Sequence, residues 1–190
     1  MGVRHTTFEG LLDAAGPADL GIGRGESATV MFTDIVGSSA PVEAMGDARW
    51  TGMVQAHVAD LTRVVEAEGG RLVKSLVDGT MSAFPSSGAK LRAARTIQRE
   101  MAERAGEPRL GLRIGLNTGD VIETDEHVFG TVVNKAARVA AMAGGNEIAV
   151  SDTTCAMVGA TPDFVFRDPA SVSLKGLEGD HVIYRLEWQV

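Results

Sequence analysis

The chain has 190 residues, of which 44% are hydrophobic and 23% charged, and 25 Asp plus Glu against 18 Lys plus Arg give a formal net charge of −7. That length buries enough surface for one core without staples, and the single cysteine, Cys155, excludes an intrachain disulfide or a cysteine-based zinc site. No apolar run reaches the roughly 18–20 residues of a spanning helix, and no signal-peptide layout opens the chain. The expectation is therefore a cytoplasmic protein with no membrane segment, and the acidic balance with nine aromatic residues argues against a nucleic-acid surface.

Residues 1–27 hold an apolar Phe8, Leu11, Leu12 patch followed by a Gly/Pro run, and read as a short helix and linker ahead of a domain over 28–190. Ala28–Phe32 is a compact apolar run that predicts a buried strand ending at Thr33 and Asp34. Trp50, Met53, Val54, Val58, Leu61, Val64 and Val65 recur at helical spacing and mark an amphipathic helix stopped by Gly69-Gly70. Leu72–Val77 and Thr80–Phe84 flank Asp78-Gly79 and predict a hairpin. Ser86 and Ser87 can cap a second helix, with Leu91, Ala94, Ile97, Gln98 and Met101 inward and Gly106 and Pro108 as stops.

Leu110–Leu116 predicts a further strand, Thr118-Gly119-Asp120 a turn, and Val121-Ile122 a renewed extended stretch. Phe129–Met142 is Ala-rich and helical, Ile148–Val150 is a strand, Ser151 caps a short helix, and two or three strands follow between Phe164 and Trp188. The order is β-α-β-β-α-β with an appended C-terminal α/β piece. It predicts an α+β, ferredoxin-like sandwich of helices on one antiparallel sheet.

Two carboxylates stand out. Asp34 follows a buried apolar run and needs a partner or cation to offset its desolvation. Asp78 sits at a hairpin tip, where Asp is commonly chosen for backbone geometry. Converging on one sheet edge, the pair would suit Mg²⁺ or Mn²⁺, hard cations that take carboxylate, water and phosphate oxygens. His5, His57 and His181 are scattered and read as surface or helix-face residues.

The blocks Phe32-Thr33-Asp34-Ile35-Val36-Gly37-Ser38-Ser39, Lys74-Ser75-Leu76-Val77-Asp78-Gly79-Thr80-Met81, Arg113 to Val121 and Phe129 to Arg138 resemble, in order and spacing, the signatures of class III nucleotidyl cyclase catalytic domains. Gly144–Ser151 and Leu174-Lys175-Gly176 add two weaker blocks, so the resemblance runs from about residue 28 to 187. It implies that ATP or GTP is converted to its 3′,5′-cyclic monophosphate and pyrophosphate through attack of the ribose 3′ oxygen on the α-phosphorus, and Lys74 makes adenylate cyclase, ATP to 3′,5′-cyclic AMP, the leading reading. Asp34 and Asp78 match the two metal-binding aspartates, with the Ile35 carbonyl as a further ligand, for two Mg²⁺ or Mn²⁺ ions per site. Asn134 matches the residue that orients the ribose and Arg138 the one that stabilises the α-phosphate; four residues apart, they share one helical face.

Lys74 matches the purine-reading position, where an ammonium donates to adenine N1, an acceptor in adenine but not in guanine. His127 falls where the family usually has Asp or Thr for the same task, and Lys175 resembles a lysine of the triphosphate pocket. Asn117 stands where histidine is common. The resemblance also implies a homodimer in which the aspartates of one protomer face the base-reading and transition-state residues of its partner. The alternatives are a guanylate cyclase, disfavoured by Lys74, and a nucleotide-binding regulatory domain of low activity, favoured by His127. An RNA-recognition module on a related sheet would need paired aromatics that the presumed sheet lacks.

Overall fold

The computed structural model describes residues 26–37, 43, 45–75, 79–85, 89–104, 110–120 and 130–189. Seven strands, β1 (Ser27–Val36), β2 (Arg71–Ser75), β3 (Gly79–Phe84), β4 (Gly111–Asp120), β5 (Ile148–Ser151), β6 (Phe166–Ser173) and β7 (Asp180–Leu186), form one sheet in the order β2-β3-β1-β4-β5-β7-β6. Among these pairings only β4–β5 is parallel. Four helices join them: α1 (Asp47–Ala67), α2 (Ala89–Glu103), α3 (Gly130–Ala141) and α4 (Asp152–Val158). The β1-α1-β2-β3-α2-β4 order and the appended α/β piece are those expected from the sequence. No helix among the described residues is long and apolar enough to cross a membrane.

The helices do not share one side of the sheet. Met31 and Ile35 of β1 and Leu112, Ile114 and Leu116 of β4 pack against Trp50, Leu61, Val64 and Val65 of α1 and Leu91, Ala94 and Ile97 of α2. Val30 and Phe32, the alternate residues of β1, pack instead against Val132, Val133, Ala136, Ala137 and Ala140 of α3. Since successive strand residues point to opposite faces, α3 covers the face opposite α1 and α2. A strand covered on both sides reads as a near-continuous apolar run, which explains Ala28–Phe32 with Thr29 as its one polar residue.

Two expectations are corrected here. β1 does not end at Thr33 and Asp34 but continues to Val36, because its whole length pairs with β4. Thr118-Gly119-Asp120 is not a turn: these residues are the end of β4, paired with Thr29, Ala28 and Ser27, and the Ser27 hydroxyl donates to Asp120 Oδ1 at 2.6 Å. A ten-residue partner strand outweighs the turn preference of Thr-Gly-Asp. Of the surface and helix-face alternatives, His57 takes the second: it is 4% exposed on the inner side of α1. Burial, and then Arg104 nearby, push its pKa down to about 4. The α1 end at Gly69 (φ 73°) and the Ser151 cap, whose Oγ accepts from the Thr154 N–H, are as expected.

Candidate active site

Asp34 lies two residues before the end of β1, 5% exposed, with Arg113 directly across on β4. The Arg113 guanidinium donates to Asp34 Oδ2 from Nε at 2.7 Å and lies within 2.6 Å through Nη2. A buried carboxylate at the end of an apolar strand thus has its charge met by a cation, as its desolvation requires. Beyond the Asp34–Gly79 pair the described register of β1 with β3 stops, while pairing with β4 continues through Ile35 and Val36. The Ile35 side chain is buried in the α1–α2 core, so only its backbone is available to a ligand at this edge.

Lys74 is on the edge strand β2 and is half-buried. It registers with Met81, which registers with Phe32, so it belongs to the α3 face of the sheet, two strands from β1 and one row before Asp34. Asn134 is exposed and Arg138 half-buried on α3. Lys175 is exposed at the β6–β7 turn beside Gly176. Asp78 and His127 lie outside the described residues. Among the described residues no group of three His, Cys, Asp or Glu gathers in a way that could hold a metal ion.

The position of α3 along the sheet follows from two close approaches. A Cβ on Gly119 would sit 3.4 Å from Val132 Cγ2, and one on Gly115 would sit 2.2 Å from Ala140 Cα. The helix rise from Val132 to Ala140, about 12 Å, matches the strand rise from Gly115 to Gly119, about 13 Å, so α3 runs antiparallel along β4. The Asp34–Arg113 row is one strand repeat of two residues past Gly115. Along this axis Arg138 is therefore about 10 Å and Asn134 about 16 Å from Asp34 in the same chain.

Sequence reasoning missed two contributors. Arg113 was read only as part of a signature block, and its ion pair spans 79 residues of chain. Asn117, 2% exposed, donates from Nδ2 to the Val132 carbonyl at 2.9 Å and accepts from Thr153 Oγ1 at 3.0 Å. A buried polar side chain between two glycines on one strand face was the available signal. Next to it, Lys135 of α3 pairs with Asp152 of α4 at 2.9 Å. Burial raises the Asp152 pKa, but the bonds from Lys135 and from the Thr153 N–H outweigh it and leave the carboxyl below its ordinary range.

Residues 22–188 match the family model described as the adenylate and guanylate cyclase catalytic domain. The chain is 31% identical over 183 residues to an uncharacterised protein of Mycobacterium tuberculosis, covering 96% of this chain and 45% of that protein. It is 29% identical over 155 residues to a putative adenylate cyclase of Rhizobium meliloti, covering 80% of this chain and 26% of that one. The chain thus spans less than half the length of these curated relatives. The solved guanylyl cyclase Cya2 superposes with a TM-score of 0.74 at 21% identity, over 86% of this chain and 94% of that one. The adenylyl cyclase CyaB from P. aeruginosa superposes with 0.70 at 21% identity, over 85% and 94%. With the α3 face of its sheet arranged as described and the family model matched over nearly its whole length, the chain belongs to the class III adenylyl and guanylyl cyclase catalytic domains.

Proposed function

We propose that this domain cyclises ATP to 3′,5′-cyclic AMP with release of pyrophosphate, at two sites shared across a homodimer. The observation that carries the reading is the axial separation of Asp34 and Asn134. A group that orients the ribose must act within a few ångströms of the attacking 3′ oxygen, which in turn must lie beside the ions held by Asp34. About 16 Å within one chain is too far for a short amide. A head-to-tail pair of protomers would bring the Asp34 edge of one against the α3 surface of its partner, and an isologous pairing would then yield two equal sites.

The donors present fit a hard divalent cation: a buried carboxylate at Asp34 and the Ile35 carbonyl, with Asp78 as the second carboxylate. Mg²⁺ or Mn²⁺ there supplies a lowered 3′-hydroxyl pKa and charge neutralisation on the triphosphate. In this reading Asn134 holds the ribose, and Arg138 donates to the α-phosphate oxygens as they gain charge. Lys74 donates to adenine N1, neutral His127 accepts from the adenine amino group, and Lys175 meets the triphosphate. Lys74 favours ATP over GTP, because N1 of guanine is itself a donor.

Cyclic nucleotide formation from ATP and from GTP, each with Mg²⁺ or Mn²⁺, tests the substrate. Mixing Asp34→Ala with Arg138→Ala chains tests the sharing of sites. Each variant alone is expected to be inactive, and an equal mixture should regain about one quarter of wild-type turnover, since half the dimers then hold one intact site of two. A mixture as inactive as its components refutes the shared site, and GTP turnover exceeding ATP turnover refutes the substrate assignment.

A further inference from the structure

Residues 115, 117 and 119 of β4 lie on the α3 face of the sheet at two-residue spacing. The glycines at either end let the helix backbone come down to contact distance, since a methyl on Gly115 would overlap Ala140 Cα and N at 2.2 and 2.3 Å. Asn117, between them, is the polar group of this track. Its Nδ2 donates to the carbonyl of Val132, the third residue of α3. Its Oδ1 accepts from Thr153 in the first turn of α4, which fixes the amide with nitrogen toward α3. Thr153 Oγ1 is in turn within 3.0 Å of the Ser151 cap. Asp152, the residue between them, binds Lys135 of α3 at 2.9 Å. The start of α3 is thus bracketed to the start of α4 by two polar links, through the buried side chains of Asn117 and Lys135.

We infer that Asn117, locked by Thr153, is a positioning residue that sets the seat of α3 on β4 and thereby the placement of Asn134 and Arg138. This rests on the cyclase reading above, in which both of those residues touch substrate while Asn117 touches none. The amide bond falls two residues before Asn134, in the same turn, so its loss lets that turn lift or slide along the glycine track. A displacement of about 1 Å in groups that meet a transition state lowers turnover by up to about a hundredfold while leaving ground-state binding nearly intact. Gly115 and Gly119 offer no side chain to resist such a slide, so on β4 the polar links hold the register beside the apolar packing of Val30 and Phe32 on α3.

The experiment compares Asn117→Ala, Thr153→Val and Thr153→Ser in the intact homodimer. Amide hydrogen exchange in the first two turns of α3 should quicken about tenfold in Asn117→Ala, and less in Thr153→Val. Thr153 is exposed, so its variants should fold as the wild type does. Thr153→Val should lower kcat about threefold to tenfold with the KM for ATP within about twofold, and Thr153→Ser should restore kcat. Unchanged exchange in α3 with Asn117→Ala overturns the inference. So does a Thr153→Val variant whose kcat equals that of the wild type, or a Thr153→Ser variant as slow as Thr153→Val. Should the wild-type protein form no cyclic nucleotide, the proposed function fails and the exchange measurement alone still decides whether Asn117 seats α3.

Discussion

Lys90 is 1% exposed and lies under the sheet, on the face away from α3. Its Nζ donates to Thr29 Oγ1 and, at 3.3 Å, to Thr118 Oγ1. Those two hydroxyls are 2.5 Å apart, and Thr118 is 2.9 Å from Thr154 Oγ1. Burial pushes the Lys90 pKa down from 10.5 to about 7. Between those values the unfolded chain holds one proton more than the folded one. Stability therefore rises with pH through this window, and the burden of a buried ammonium is full below about pH 7. The slope is about 1.4 kcal/mol per pH unit, hence about 2–3 kcal/mol between pH 7 and 9. Stopping at pH 9 avoids Cys155, whose thiol burial pushes up to about 12.

Lys90→Met keeps the length of the side chain, removes the titration, and leaves the three threonine hydroxyls to one another. Urea unfolding of both proteins from pH 6.5 to 9 is the assay, and the difference between them cancels the groups they share. The wild type should gain about 2–3 kcal/mol relative to Lys90→Met over that range. Parallel stability curves would refute the reasoning, since they would mean that the amine stays charged in the fold at no cost.

Two further outcomes follow from the same structure. Arg113→Ala leaves the Asp34 carboxylate buried without its guanidinium, and because Arg113 is itself partly exposed, the loss at pH 7 should be about 2 kcal/mol in urea unfolding. Mn²⁺ should then raise the melting temperature of that variant more than that of the wild type, and an equal rise in both would show that the guanidinium and a cation do not meet the same charge. His57, with its pKa near 4 in the fold and 6.5 unfolded, takes up a proton on unfolding in that window, so stability falls as pH falls from 6.5 to 4, by about 3 kcal/mol. His57→Leu should remove that part of the acid slope, which a comparison of melting temperatures at pH 4.5 and 7 reads directly.

The sequence by itself determined the order of elements and the family, and it supplied the side chains proposed to meet a nucleotide. Helix periodicity, the Ser151 cap and the glycine stop at Gly69 are written by residues within a few positions of each other, so they are legible without the fold. The signature blocks work in the same way, because each is a short run that carries its own spacing. Tertiary structure decided what depends on pairing across long stretches of chain. It joined Arg113 to Asp34, carried β4 through a stretch with turn-like composition, and turned His57 inward toward α2. It also put α3 on the opposite face from the other long helices, at a register set by Gly115, Asn117 and Gly119. That face and that register place Asn134 far along the strand axis from Asp34, because strand alternation and helix rise become distances only once the two elements are docked.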